Sequence, residues 1–222
     1  MRLNPASQRL SMSAPLILAS ASPRRKELLE RVGFTVRTMS PNIDETRLEG
    51  EDPVNYVKRM AREKVLAIAQ RAHATLYVEP EGSRSTDEDS RWIVGADTAV
   101  VLGDRVFSKP VDTDDAQAML TELSGREHTV MTGFCVFDLQ KNKEGLQAVH
   151  TIVRFKSLTK SEIEKYVGLG EGTDKAGSYA IQGVGGYFAE EIDGSYTNVV
   201  GLPLCQVIEM LQEMGATSVL PF

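Results

Sequence analysis

The chain has 222 residues, of which 41% are hydrophobic and 25% charged, and its formal net charge is −6. This size fits one globular domain or two small lobes around a shared core. No apolar run approaches the roughly 20 residues that span a bilayer, and an acidic chain is a poor nucleic-acid coat. Cys135 and Cys205 both lie in apolar sequence, so we expect buried thiols rather than a disulfide or zinc framework.

The ends and one internal segment differ in composition from the rest. Residues 1–15 lack a signal-type pattern, so we interpret them as a flexible arm of a cytoplasmic protein. Residues 16–222 read as a single α/β domain. Within it, residues 79–91 (EPEGSRSTDEDSR) are charged and turn-rich, which indicates a surface insertion without chemistry.

Apolar periodicity and turn residues predict alternating strands and helices. Strand patterns occupy residues 16–19, 34–39, 92–94, 99–102, 105–108, 128–139 and 148–158. Helix patterns begin at Ser22, Asp52, Thr113, Thr159 and Pro203, each at a capping residue or a proline. We expect the two longest strand patterns to pair antiparallel across a turn at residues 141–145. The alternation predicts the α/β class with a mixed sheet flanked by helices.

The first predicted helix carries two arginines where the helix dipole favours acids. Arg24 and Arg25 follow Pro23, whereas the helix at Thr113 has two aspartates in its first turn. Free N–H groups at a helix start already bind anions, and guanidinium groups match phosphate oxygens. A phosphate-binding helix start, with Ser20 and Ser22 as hydroxyl donors, is one interpretation. Two solvated arginines paired with glutamates of the same helix are the other.

Two lysines could extend such a phosphate site. Lys64 lies at the edge of an apolar helix stripe, where an aliphatic stem reaching water is the ordinary interpretation. Lys109 lies in a loop after a predicted strand. Neither residue is persuasive alone, but together with the arginines of the first helix they could surround a triphosphate.

Acidic residues suggest a metal-assisted reaction. Asp97 lies in a strand-like, otherwise apolar run, so its carboxylate is either paired or used. Asp44 and Glu45 follow another strand, although a solvated loop is by itself the more ordinary interpretation of them. Carboxylates around phosphates are the ligands that Mg²⁺ prefers. Farther along, Gln182 lies among glycines and could donate to and accept from a base edge.

Several short motifs resemble those of the Maf family of nucleoside triphosphate pyrophosphatases. LASASPRRKELL, IDE, AREK, VGADT, FSKP, DKAGSYAIQG and GSYTNVVGLPL occur in the family's order within residues 16–211. The resemblance implies an elongated, ITPase-like α/β fold with a central cleft between two lobes. It implies hydrolysis between the α- and β-phosphates to a nucleoside monophosphate and pyrophosphate. It also implies a divalent metal, with Mg²⁺ as first choice and Mn²⁺ or Co²⁺ as alternatives, and a homodimer.

The resemblance also assigns expected roles. Asp97 is similar to the family's proton acceptor and Glu45 to an acid that helps hold metal, with Asp97 beside it. Phosphate-binding positions are matched by Ser20, Arg24, Arg25, Lys64 and Lys109, the two lysines also serving catalysis. Positions used for substrate choice are matched by Arg25, Thr98 and Gln182.

The glutamine context resembles the dTTP/UTP branch of the family, so we expect a cytoplasmic hydrolase of these nucleotides. A 7-methyl-GTP or modified-purine pyrophosphatase is the alternative within the enzyme class. A nucleotide-binding regulator of cell division without significant turnover is the alternative from another class. Neither a membrane nor a stable nucleic-acid partner is expected.

Overall fold

The computed structural model describes residues 14–76 and 90–217. The arm expected at residues 1–15 lies outside this part apart from Ala14 and Pro15. The insertion expected at residues 79–91 lies outside it apart from Ser90 and Arg91.

One mixed sheet with flanking helices forms the described part of the chain, which confirms the predicted fold class. Its strands are β1 (Leu16–Leu18), β2 (Val36–Thr38), β3 (Trp92–Leu102), β4 (Arg105–Phe107), β5 (Glu127–Asp138), β6 (Lys143–Phe155) and β7 (Ala189–Asp193). The strand order is β2-β1-β3-β5-β6-β7, with β4 also paired to β3. β1 runs parallel to β2 and β3, and the other pairs are antiparallel, including β5 with β6 as predicted.

The helices lie against both faces of this sheet. They are α1 (Pro23–Arg31), α2 (Pro53–Leu76), α3 (Thr113–Leu123), α4 (Lys160–Gly168), α5 (Tyr196–Val200) and α6 (Leu204–Glu213). Within the described ranges, no helix is both long enough and apolar enough to cross a bilayer.

The core is divided into three clusters by the alternation of the strands. On one face of β3, Trp92, Val94 and Ala96 pack with α1 and α6, while Val100 farther along packs with α3 and α4. We call these the α1–α6 cluster and the α3–α4 cluster. On the opposite face, Ile93 packs in a third cluster with α2. Alternate residues of one strand therefore serve different layers, as a period of two requires.

Two glycines let α2 lie unusually close to the sheet. A Cβ atom built at Gly133 in β5 would lie 2.3 Å from the carbonyl oxygen of Val57, and one at Gly95 in β3 would lie 2.9 Å from that of Ala61. Backbone atoms cannot yield as a flexible side chain can. A larger residue at either position would therefore push the helix away from the sheet.

Some local expectations are wrong. Ser22 occupies the N-cap position of α1, but its side chain makes no capping hydrogen bond. The third helix is capped by Asp112, whose Oδ1 accepts from the Asp115 N–H at 2.8 Å, and Thr113 is its first residue. Cys135 is buried as expected, whereas Cys205 is exposed on α6. Only the third helix shows a shift of position, since its cap lies one residue earlier than the expected Thr113.

The close approach at Gly133 gives a stability prediction. Gly133→Ala should lower the free energy of unfolding by about 2 kcal/mol or more, because the new methyl group overlaps the α2 backbone. Urea unfolding followed by circular dichroism measures it. Gly168→Ala is the control, since a Cβ atom there meets no atom within 4 Å, and it should change stability by less than about 1 kcal/mol. Equal effects of the two substitutions would contradict the packing argument.

Candidate functional site

The site lies where one edge of β3 changes partner. β1 pairs with β3 as far as Val94, and β4 pairs with it only from Val100 onward. In the described sheet, residues 95–99 have no strand partner on that edge, although β5 pairs with the other edge throughout. A cavity of about 800 Å³ opens at this gap. Asp97 and Thr98 both line it, from opposite faces of the strand.

On the α2 face, Lys64 binds two carboxylates. Its Nζ atom lies 2.6 Å from Asp97 Oδ1 and 2.8 Å from Glu45 Oε1, and the Lys64 side chain is only 7% exposed. Burial by itself would raise the pKa of Glu45, but the hydrogen bond from Lys64 and the charges of Lys64, Lys109 and Arg25 lower it overall. Two acids from different segments thus converge on one cation.

The loop before α2 is tied to that helix, which directs Glu45 into the cavity. The Tyr56 hydroxyl donates to the Glu45 carbonyl oxygen at 3.0 Å, and Arg59 donates to the Thr46 carbonyl oxygen at 3.0 Å. Asp44 instead accepts from the N–H and hydroxyl of Thr46, at 2.9 and 2.6 Å, and does not line the cavity. Of the two adjacent acids, Glu45 alone faces the site.

The first helix places its two arginines differently. Arg25 donates through Nε to the Gly201 carbonyl oxygen at 2.7 Å, and through its terminal nitrogens to Ser20 Oγ at 3.2 Å and Thr98 Oγ1 at 3.1 Å. Burial lowers the pKa of this guanidinium, and the charge of Asp97 opposes that shift. Arg25 therefore joins the β1–α1 connection to β3 and to the segment before α6.

Arg24 lines the cavity without such partners. Within the described residues its guanidinium makes no hydrogen bond or ion pair, and its pKa is lowered by burial against the opposing charge of Asp174. Lys175 pairs with Asp174 and lines the same wall, while Lys109 is exposed at the end of β4. Among described residues, the lining has six basic side chains and three carboxylates. The cavity is therefore suited to an anion.

A glycine-rich segment forms the far wall. Gln182 lines the cavity, is exposed, and its side chain has no hydrogen-bond partner among the described residues. The Glu171 carboxylate accepts from the N–H groups of Val184 and Gly185, both at 3.1 Å. A Cβ atom at Gly183 would overlap that carboxylate, so a larger residue there would displace Glu171 and disturb these two hydrogen bonds. The glutamine side chain thus extends from a turn that the hydrogen bonds to Glu171 hold in place.

The structure brings the expected site residues into one cavity. Its lining includes Ser20, Arg24, Arg25, Glu45, Lys64, Asp97, Thr98, Lys109 and Gln182. Their individual roles stay predictions. Sequence reasoning missed Lys175 and Tyr56, which also line the cavity. The basic residue in the DKAG motif was a signal for Lys175, whereas Tyr56 looked like an ordinary helix residue.

The donor set fits a divalent metal that is completed by substrate. Glu45 and Asp97 already share one cation, and both offer the carboxylate oxygens that Mg²⁺ prefers. No group of three or more His, Cys, Asp or Glu side chains among residues 14–76 and 90–217 could hold a metal alone. Mg²⁺ commonly binds through one or two carboxylates, with phosphate oxygens and waters as the other ligands.

Comparison with known families agrees with this geometry. The family model described as Maf-like protein matches residues 15–214. The chain belongs to the Maf family. The match includes every segment that lines the cavity.

Curated Maf relatives cover nearly the same length. A dTTP/UTP pyrophosphatase of Geobacter sulfurreducens is 46% identical, covering 90% of this chain and 97% of its own. One of Alcanivorax borkumensis is 48% identical, covering 89% and 94%, respectively. Among solved structures, a nucleoside-triphosphatase/dITP/XTP pyrophosphatase of Mycobacterium abscessus has a TM-score of 0.37 and 14% identity, covering 65% of this chain and 75% of its own.

A buried histidine lies behind the cavity wall. His128 Nε2 lies 2.9 Å from the hydroxyl of Tyr179, which lines the cavity, and the His128 ring contacts Phe155 edge to face. Burial lowers the pKa of His128 to about 4. The folded protein therefore favours the neutral imidazole, and stability that is complete above pH 6.5 is lost as pH falls toward 4.

This gives a pH-dependent prediction. Between pH 6.5 and 4, the free energy of unfolding of the unmodified protein should fall by about 3 kcal/mol more than that of His128→Gln, which cannot bind the proton. Urea unfolding across that range measures the difference. His150→Gln, at an exposed position, should keep the slope of the unmodified protein. The same slope in His128→Gln would exclude His128 as its source.

Proposed function

We propose that this protein hydrolyses dTTP and UTP between the α- and β-phosphates, releasing the nucleoside monophosphate and pyrophosphate. The observation that supports this best is the excess of basic side chains around Asp97, in a Maf chain whose relatives are named dTTP/UTP pyrophosphatases. The reaction class is nucleotide diphosphatase. The cavity volume lies within the range of roughly 300–1,000 Å³ that is typical of small-molecule sites.

Basic and apolar side chains both line the cavity. Arg24, Lys109 and Lys175 reach it from three separate segments and can contact phosphate oxygens. Apolar side chains of Val100 and Val130 also line it, on the face of the sheet opposite Asp97. In this proposal the triphosphate binds among the basic groups, and the base lies against the apolar wall of Val100 and Val130 beside Thr98, with Gln182 at its edge.

Asp97 positions the attacking water. Its Oδ1 is bound by Lys64, while Oδ2 has no hydrogen-bond partner among the described residues. That free oxygen can accept a hydrogen bond from a water directed at the α-phosphate, and then its proton. Lys64 keeps the carboxylate in place from the α2 side. Phosphoryl transfer depends mainly on positioning and charge stabilisation, so one such acceptor is sufficient.

The proposal includes a divalent cation at Glu45 and Asp97, with Mg²⁺ preferred to Mn²⁺ or Co²⁺. When bound, the cation would neutralise phosphate charge and polarise the reacting anhydride. Glu45 and Asp97 would hold the cation from two segments. The ammonium group of Lys64 would then interact partly with the substrate. From the resemblance we also propose a cytoplasmic homodimer without a stable nucleic-acid partner.

The first prediction from this proposal concerns the water-positioning acid. Asp97→Asn should lower kcat for dTTP and UTP by about 100-fold or more, because the amide keeps the shape but cannot accept a proton. The assay separates pyrophosphate from orthophosphate as products. Asp104→Asn, in the exposed turn between β3 and β4, is the matched control and should leave kcat unchanged. Nucleotide binding without turnover in the unmodified protein would favour the regulator, and release of orthophosphate would exclude the proposed bond.

The second prediction concerns the metal. Excess chelator should abolish turnover and added Mg²⁺ should restore it. In Glu45→Gln, the Mg²⁺ concentration for half-maximal turnover should rise by about tenfold or more, because a charged ligand is lost. Glu49→Gln, an exposed acid of the same loop, serves as the control. An unchanged Mg²⁺ requirement in Glu45→Gln would restrict Glu45 to its ion pair with Lys64.

A further inference from the structure

Two threonines interrupt an otherwise apolar face of the sheet. On β3 that face reads Trp92, Val94, Ala96, Thr98 and Val100, and all except Thr98 are buried hydrophobic residues. Thr132 on β5 lies directly opposite Thr98 on β3 and is fully buried. The threonine pair lies between the α1–α6 cluster and the α3–α4 cluster, beside the cavity. A polar pair in this position needs partners, because burying unpaired hydroxyl groups is costly.

Those partners fix the direction of the Thr98 hydroxyl. The backbone carbonyl oxygen of Asn198 can only accept, so the Thr132 hydroxyl donates to it at 3.1 Å. Having used its proton, Thr132 must accept from Thr98 at 2.9 Å. Arg25 can only donate, and it donates to Thr98 Oγ1 at 3.1 Å. The chain of hydrogen bonds therefore runs in one direction, from Arg25 through both threonines to Asn198.

Asn198 keeps the end of this chain in place. It is fully buried, and its Nδ2 donates to the Val130 carbonyl oxygen and to Thr151 Oγ1, both at 3.0 Å. These bonds attach α5 to β5 and β6, so the Asn198 carbonyl oxygen faces Thr132 from a fixed direction. Rotation of either threonine hydroxyl would leave a buried acceptor or donor unpaired.

Only an acceptor site remains for a ligand at Thr98. Its proton is used by Thr132, one lone pair is used by Arg25, and the second lone pair has no partner among the described residues. A ligand atom that reaches Thr98 Oγ1 must therefore carry a hydrogen. Phosphate oxygens and unprotonated ring nitrogens are disfavoured there.

We propose that Thr132 and Asn198 are positioning residues for base selection, and that they make Thr98 an acceptor for the imide N–H of a uracil or thymine ring. The inference rests on the proposed function, which places the base against the apolar wall next to Thr98. Cytosine has an acceptor at the equivalent ring nitrogen and would meet another acceptor. A buried site that hydrogen-bonds one partner rejects an analogue that leaves it unpaired.

The experiment compares binding of UTP and CTP by calorimetry with excess chelator, so that binding is measured without turnover. The unmodified protein should bind UTP about tenfold more tightly than CTP. Thr132→Val keeps the shape and frees the Thr98 proton, so the preference should fall by about tenfold, to near parity. Thr132→Ser restores the hydroxyl and should restore the preference. Thr129→Val, a threonine of the same strand outside the cavity, should keep it.

The outcomes separate this inference from the proposed function. An unchanged preference in Thr132→Val, or a failure of Thr132→Ser to restore it, would overturn the positioning role. Equal weakening of both nucleotides would also overturn it, by indicating contact with a group that they share, such as a ribose hydroxyl. Thr132→Ala replaces the valine variant if that does not fold. A preference that responds as expected, in a protein that releases no pyrophosphate with Mg²⁺, supports the inference and rejects the proposed function.

Discussion

The arrangement of the site depends on the ion pairs between the buried ammonium group of Lys64 and two carboxylates. Desolvating a lysine is costly unless carboxylates compensate for it, and here Asp97 and Glu45 do so from β3 and from the loop before α2. The helix can deliver Lys64 to this depth only because Gly95 and Gly133 leave no side chain beneath it. The close packing of α2 on the two glycines and the ion pairs of Lys64 with its two carboxylates therefore depend on each other.

The gap in the edge of β3 gives that constraint its functional consequence. Because β1 ends before β4 begins, residues 95–99 border open space rather than another strand. Because successive side chains alternate between faces, Asp97 points toward the Lys64 charge on α2 and Thr98 toward the face that carries the α1–α6 and α3–α4 clusters. Two adjacent residues thus face the phosphate and base regions of the proposed ligand. A continuous edge at this position would cover both with a neighbouring backbone.

Sequence patterns located most elements because they depend on local periodicity, which packing here reinforces. α2 and the β5–β6 pair are examples, and the acid at position 97 was conspicuous in an apolar strand. Caps were less predictable, since Asp112 and Thr113 are both good capping residues and only backbone geometry distinguishes them. The Asn198 contacts were beyond sequence reasoning, because they join α5 to strands that lie nearly 50 or more residues away. Thr98 and Thr132 did carry a signal: each interrupts an apolar series of period two.

The two arginines at the start of α1 follow from different physical requirements. Arg25 is satisfied inside the protein by a carbonyl oxygen and two hydroxyl groups, so it contributes to structure whether or not an anion is present. Arg24 has no such partner in the described chain, and it adds positive charge to a helix start that is already positive. In the proposed function, a bound phosphate group would relieve that unfavourable charge. The helix start therefore has one arginine that shapes the cavity and one that we propose binds the ligand.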